Sequence, residues 1–152
     1  VTRTLDLMDA IRAAIESAKA RGWGVWSAGA ATEHEITRLE KELGVTLPSS
    51  YKSFLAEFGA LALGDVVISG IIDGDALTPA GGSLLWETRE ARSERSLPAH
   101  LLIFQMDEDA PYCFDASTPA QGELPVISYE WHSGAITRLA PTFTEWAQAF
   151  LL

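Results

Sequence analysis

The sequence predicts an α+β fold, a single domain in which helices pack on an antiparallel sheet. Helical patterns come first, within residues 1–22 and 32–59, and residues 64–139 are then rich in strand patterns and turns. A last helical pattern occupies residues 142–152. Helices grouped apart from strands, instead of alternating with them, are typical of antiparallel sheets. The length of 152 residues suits one domain, and no linker, repeat or low-complexity tract divides it.

The N-terminal helix is predicted over residues 4–21. Its apolar residues recur at helical spacing and are Leu5, Met8, Ile11, Ile15 and Ala18. Residues 22–26 then mix glycine with Trp23 and Trp26, and we interpret them as a connector whose rings pack on the core. The alternative is a ligand shelf built from the two rings, but tryptophan buries a large area wherever it can.

Residues 32–59 predict two short amphipathic helices. Thr32 and Glu35 have the spacing of a capping box, and Gly44 suits the left-handed residue that ends the first helix. Pro48 suits the first turn of the second helix, where its missing N–H would have no partner. A complete apolar stripe follows and predicts core residues at Tyr51, Phe54, Leu55 and Phe58.

The strand-rich region begins with β-branched residues. Residues 66–72 predict a strand that bends at Gly70, and residues 83–94 predict a charged surface helix. The continuous apolar run 101–104 predicts a strand buried on both faces. An acidic turn at 106–111 then leads to an antiparallel partner at 112–115.

The C-terminal part predicts a hairpin and a helix. Its two strands are expected at 125–130 and 135–139, with a tight turn at Ser133 and Gly134. Thr142 and Glu145 form a second capping box in front of the last helix.

The order of residues in the predicted helix pair resembles the signature of the SUKH superfamily. An acidic residue is followed by Ile36, Leu39–Glu40, Leu43–Gly44, Leu47–Pro48, Tyr51–Lys52, Phe54–Leu55 and Phe58–Gly59. Residues 101–115 resemble the strand, acidic turn and strand of that superfamily, and residues 143–152 resemble its closing helix. Residues 64–96 show no matching pattern.

The resemblance implies a binding function without catalysis. The superfamily contains fungal cell-wall assembly regulators and many bacterial immunity proteins. For a small single-domain member it implies an immunity protein that binds and neutralises a cognate toxin, and many such toxins are basic nucleases. The alternative is a regulatory interaction module in signalling or cell-wall assembly.

The residue types of catalytic and metal sites occur without the spacing that those sites need. His34, His100 and His132 are far apart and show no metal-binding pattern. Cys113 lies within a strand pattern, where a buried inert thiol is the ordinary outcome, although a nearby histidine could activate it. We therefore expect no enzyme activity, no catalytic residue, no metal and no cofactor.

The charge distribution suggests where a partner binds. The net charge is −10, which argues against a direct nucleic-acid or membrane partner because both need neutralising cations. Residues 61–152 hold 4 basic and 13 acidic residues, a net charge of −9, and no Lys or Arg lies between Arg95 and Arg138. If this region shares one face, that face would attract a basic toxin domain. The candidate partner-binding residues are Asp107, Glu108, Asp109, Asp115, Glu130, Trp131 and His132.

Two other interpretations of this acidity stay open. Residues 107–109 could form a cation site or only a solvated turn, and the acidity as a whole could serve solubility. The compartment is expected to be the cytoplasm. The chain has a single cysteine, no asparagine for N-glycosylation, no secretory signal pattern and no apolar run of about 20 residues.

Overall fold

The computed structural model describes residues 6–151, which form five helices and two antiparallel sheets. In chain order the elements are α1 (Leu7–Ala20), β1 (Val25–Ser27), α2 (Glu33–Leu43), α3 (Ser49–Phe58), β2 (Leu61–Leu63), β3 (Val66–Ile68), α4 (Leu84–Arg95), β4 (Leu101–Gln105), β5 (Tyr112–Asp115), β6 (Val126–Tyr129), β7 (Ile136–Ala140) and α5 (Phe143–Phe150). The predicted α+β fold is confirmed.

The N-terminal helix is confirmed for its described part. Asp6 caps α1, because its carboxylate accepts a hydrogen bond of 2.8 Å from the backbone N–H of Asp9. The predicted apolar stripe faces the core at Ile11 and Ala18. Its first member, Leu5, lies outside the described residues, as does the predicted start at residue 4.

The predicted helix pair is confirmed as α2 and α3. The hydroxyl of Thr32 accepts a bond of 3.2 Å from Glu35 N–H, and Gly44 ends α2 in the left-handed conformation. Pro48 stands immediately before α3 without a side-chain cap. Glu123, from the loop between β5 and β6, caps the helix instead, and its carboxylate accepts from the N–H and hydroxyl of Ser50 at 2.9 and 2.5 Å.

The first sheet has the strand order β1-β2-β3 and corrects two predictions. The segment 22–26 is not only a connector, because Val25 and Trp26 belong to β1. Trp23 and Trp26 do not pack into the core, since 47% and 51% of their surfaces remain exposed. The strand predicted over residues 66–72 ends at Ile68 as β3. The strand β2 was not predicted from the sequence. Strands of three residues are too short to show a clear period in the sequence.

The predicted bend at Gly70 is a close approach of two backbone segments. A Cβ atom at Gly70 would lie 1.9 Å from the carbonyl oxygen of Gly59. The Gly70 N–H donates to the Gly82 carbonyl at 2.8 Å, and the Gly70 carbonyl accepts from Leu84 at 2.9 Å. Only glycine fits where the chain leaves the first sheet and reaches the start of α4.

The second sheet has the strand order β4-β5-β6-β7, and helices cover both of its faces. Phe104 and Phe114 point to the main core, where they stack on each other and meet Phe143 of α5 edge to face. Ile103 and Cys113 point to the other face, against α4. Because successive side chains alternate, β4 is buried on both faces, as predicted. The predicted helix at 83–94 is also confirmed as α4.

Ser69 joins the two sheets and two helices through a buried polar network. Its N–H donates to the Phe104 carbonyl at 2.7 Å, and its carbonyl accepts from the Tyr51 hydroxyl. Its own hydroxyl donates to Glu87 at 2.6 Å. The second oxygen of Glu87 accepts from Gly82 N–H at 2.8 Å. All three polar groups of Ser69 are therefore satisfied in a residue that is only 1% exposed.

The close approach at Gly70 leads to a first prediction. Gly70→Ala should lower the free energy of unfolding by at least about 2 kcal/mol, because the added methyl group must displace backbone atoms. Urea unfolding followed by circular dichroism measures the change.

Gly24→Ala is the matched control. Nothing lies within 4 Å of a Cβ atom built at Gly24, so alanine there should leave the stability within about 1 kcal/mol of wild type. Equal unfolding midpoints for the two variants would contradict the steric argument.

Candidate protein-binding surface

The acidic turn between β4 and β5 is ordered by its own first carboxylate. One oxygen of Asp107 accepts from the N–H groups of Asp109 and Ala110, at 2.9 and 2.8 Å. The side chains of Glu108 and Asp109 remain exposed. The turn therefore has a defined backbone shape and presents its other carboxylates to solvent.

Trp131, at the end of β6, attaches this turn to the β6–β7 hairpin. Its indole N–H donates to the Asp107 carbonyl at 3.0 Å, and its backbone N–H donates to the Asp109 carbonyl at 3.1 Å. The ring meets Tyr129 edge to face at 5.7 Å, and the guanidinium of Arg95 lies over it, 4.9 Å from the ring centre. Contacts on several sides thus fix the position of the ring.

These contacts form a shallow acidic cleft of about 350 Å³. Its lining residues are Glu108, Asp109, Ala110, Glu130, Trp131 and His132. The structure thus brings together the predicted site residues of the acidic turn and those that follow β6. Glu130 stabilises the hairpin turn through three hydrogen bonds. Its backbone N–H donates to the Ala135 carbonyl, its carbonyl accepts from Gly134 N–H, and its carboxylate accepts from the Ser133 hydroxyl at 2.9 Å.

The carboxylates at the cleft have no basic partner within the described part of the chain. No Lys, Arg or His lies within 4.0 Å of the carboxylates of Asp107, Glu108, Asp109 or Glu130 in residues 6–151. Elsewhere the acidic residues are paired more often, as in the bonds from Arg12 to Glu57 at 2.9 Å and from Arg89 to Glu42 at 2.8 Å. The four carboxylates at the acidic cleft are therefore not neutralised by ion pairs within residues 6–151.

Asp115 does not lie with the other predicted site residues. It is at the far end of β5, opposite Leu101, whereas the acidic turn enters that strand at Tyr112. Its carboxylate accepts from the N–H and hydroxyl of Ser117 at 2.9 and 2.6 Å. The expectation of one shared acidic face thus does not hold for Asp115, nor for Glu123, which caps α3. A part for Asp115 in partner binding stays a separate prediction.

The thiol of Cys113, the candidate nucleophile of the sequence, is buried. Burial raises the pKa of the Cys113 thiol to about 12, so the thiol is protonated at neutral pH. Its nearest polar contact is the Pro111 carbonyl at 3.8 Å. Among residues 6–151 no group of three or more His, Cys, Asp or Glu side chains is placed to hold a metal ion. His132 lines the acidic cleft, while the side chain of His34 is almost fully exposed.

A second depression, which we call the Trp26 groove, was not predicted. It has a volume of about 380 Å³ between the first sheet and the start of α4, and its lining includes Trp26, Asp65, Val67, Ser69, Glu87 and Met106. Trp23 lines a different depression, beside Leu63 and Gly64, so the two tryptophans do not form a joint shelf.

The important residue that sequence reasoning missed in this groove is Glu87. The helical stripe that faces inward from α4 consists of Leu84, Glu87, Thr88 and Ala91, with a carboxylate in an otherwise core-like position. A charged residue within an inward-facing helical stripe could have identified Glu87 from the sequence as a buried carboxylate. Burial raises the pKa of Glu87 above its usual 4.5, against the opposing effect of the bonds from Gly82 and Ser69.

A family model described as SUKH_5, SMI1-KNR4 cell-wall, matches residues 11–152, all but the first ten. The chain belongs to this family of the SUKH superfamily, which confirms the resemblance seen in the sequence. SUKH domains are protein-interaction modules and are generally non-catalytic. None of the helices in residues 6–151 is long and apolar enough to span a bilayer.

The raised pKa of Glu87 predicts a pH dependence of stability. The folded state holds the proton of Glu87 more tightly than the unfolded state does, so this residue destabilises the fold as the pH rises from about 4.5 through the raised pKa. The wild type should therefore lose stability relative to Glu87→Gln across that interval, by at most about 1.4 kcal/mol per pH unit.

Chemical unfolding of both proteins at a series of pH values measures this difference. Glutamine can keep the local bonds, because its oxygen can accept from Gly82 N–H and its amide can donate to the Ser69 hydroxyl. The control is Glu90→Gln, an exposed position on the same helix. If the free energy of unfolding changed with pH in the same way for wild type and Glu87→Gln, burial would not raise the pKa of Glu87 and the prediction would be wrong.

Proposed function

We propose that this protein is a bacterial immunity protein that binds a cognate toxin and neutralises it. The toxin would place a basic surface on the acidic cleft. The observation that carries the proposal is the unpaired set of carboxylates, at Asp107, Glu108, Asp109 and Glu130, around the fixed ring of Trp131. Membership of a family of protein-interaction domains supports a binding role.

Electrostatics supports a basic partner. The net charge of −10 repels acidic molecules. The carboxylates of the acidic cleft form no ion pair in residues 6–151, and the cation next to the cleft, Arg95, lies over the ring of Trp131. Such a field accelerates association with a basic protein and discriminates against acidic ones. Nuclease toxins carry basic surfaces because they bind nucleic-acid phosphates, so acidic side chains can occupy the same surface in place of the phosphates.

The fixed position of Trp131 favours a protein as the binding partner of the acidic cleft, since an atmosphere of small cations would not need an aromatic anchor. Interfaces typically owe much of their affinity to a few aromatic or arginine anchors surrounded by polar residues. Trp131 lies among the carboxylates and is held before any partner arrives, so little conformational entropy is lost when it is covered. The proposed function is exerted in the cytoplasm, without direct contact to nucleic acid or membrane.

The proposal predicts a salt-sensitive complex with the toxin-like product of a neighbouring gene. The two proteins should co-purify at low salt. The double variant Asp109→Asn with Glu130→Gln should weaken binding about tenfold or more, mainly by slowing association. High salt should reduce the difference between wild type and variant, because exposed charges are then screened. Surface plasmon resonance at two salt concentrations measures both effects.

A matched control removes two charges elsewhere. Glu33 and Glu90 are exposed and lie outside the acidic cleft, so Glu33→Gln with Glu90→Gln should bind within about twofold of wild type. An equal loss of affinity in the two double variants would indicate only a general effect of charge and would reject the acidic cleft as the interface.

No complex with any adjacent toxin-like product would reject the immunity function. Several partners without one tight toxin would favour the regulatory interaction module instead.

A further inference from the structure

The floor of the Trp26 groove holds the carboxyl group of Glu87. Glu87 is 8% exposed, and each of its two oxygens accepts one hydrogen bond, from Gly82 N–H or from the Ser69 hydroxyl. A carboxylate has about four lone-pair positions, so each oxygen keeps one free. Within the described residues no Lys or Arg forms an ion pair with Glu87. The floor therefore offers two adjacent acceptors without a cation.

The walls of the groove are apolar and aromatic. In the first sheet Trp26 is paired with Ala62, which is paired with Val67, so these three side chains share the outer face. Trp26 is 51% exposed and Met106 is 42% exposed, which is unusual for such large side chains. Asp65 lines the same groove and adds a second negative charge. The groove thus combines an aromatic face, apolar sides and a carboxylate.

We propose that the Trp26 groove binds an arginine side chain of a protein partner. The planar guanidinium can donate two parallel hydrogen bonds to the two free acceptors of Glu87. Its face can stack on Trp26, and its methylene groups can lie along Met106 and Val67. Lysine fits less well, because a single ammonium does not match two adjacent acceptors and a flat ring.

The position of the groove favours a protein as the source of this side chain. Met106, the first residue of the acidic turn at 106–111, lines the groove, and Glu108 and Asp109 of the same turn line the acidic cleft. A partner that covers the turn can place an arginine in the groove. This inference goes beyond the proposed function, because it requires a protein partner with an exposed arginine but not a toxin.

The test uses the whole protein and a blocked amino acid. N-acetyl-arginine methylamide, which resembles an arginine within a chain, is titrated into 15N-labelled protein, and the indole N–H signal of Trp26 is followed by NMR. The signal is assigned with Trp26→Phe. We expect a saturable shift at millimolar concentrations. We also expect binding at least about tenfold weaker in Glu87→Gln, since the neutral amide cannot make the charge-assisted bidentate contact of a carboxylate.

The controls separate the guanidinium charge from other contacts. The citrulline analogue has nearly the same shape without the charge and should bind at least about tenfold more weakly. Glu90→Gln should leave the titration unchanged. Binding to the wild type should also weaken as the pH falls through the pKa of Glu87, because the protonated carboxyl has lost its charge.

Three outcomes would overturn the proposal. They are the absence of a saturable shift, equal affinities for the arginine and citrulline compounds, and equal affinities of wild type and Glu87→Gln. Much tighter binding of free arginine than of the blocked amide would reject the protein source and indicate a small-molecule site. Because no toxin is present, the result is independent of whether the acidic cleft binds one.

Discussion

The burial of Ser69 is the constraint on which the rest of the structure depends. Its N–H reaches β4, its carbonyl receives the hydroxyl of Tyr51 from α3, and its own hydroxyl reaches Glu87 on α4. Two sheets and two helices therefore meet at one residue. An unsatisfied buried polar group costs about 1–3 kcal/mol, so loss of any one of these bonds weakens the joint between the sheets. Tyr51 is also a core residue of the family signature, which connects that signature with the position of the Trp26 groove.

Two sets of acidic residues in this protein have different physical roles. Glu35, Glu40 and Glu123 accept hydrogen bonds from backbone N–H groups 41, 7 and 73 positions away in the chain, and their charges help to hold loops and helix starts. The carboxylates of Glu108 and Asp109 do none of this and face solvent without cations. Net charge alone cannot distinguish the groups, because each acidic residue adds the same charge. What distinguishes them is the partner atom that the fold brings to each.

The parts predicted correctly from the sequence are those determined by local patterns. Thr32 and Thr142 indicate helix starts because caps act within one turn. The apolar run 101–104 is typical of a strand covered on both faces. The missed parts are non-local. The first sheet depends on pairing between residues 25–27 and 61–63, and the cap of α3 comes from a residue 73 positions away. The acidic cleft was only partly predictable, because the sequence does not show that Asp115 lies at the end of β5 far from the acidic turn.

Because Trp131 holds the acidic turn through backbone groups, the path of the turn depends little on the side chains that would contact a partner. Trp131 binds the turn through the backbone carbonyls of residues 107 and 109, which are present whatever side chains stand there. Of the acidic side chains in the turn, only Asp107 helps to fix its path. The side chains at 108 and 109 can therefore be exchanged with little effect on the backbone that carries them, whereas the carboxylate of Glu130 also accepts from Ser133 in the hairpin turn. A change of partner would then require new side chains on an existing platform, and the stability of the domain would be largely unaffected by that change.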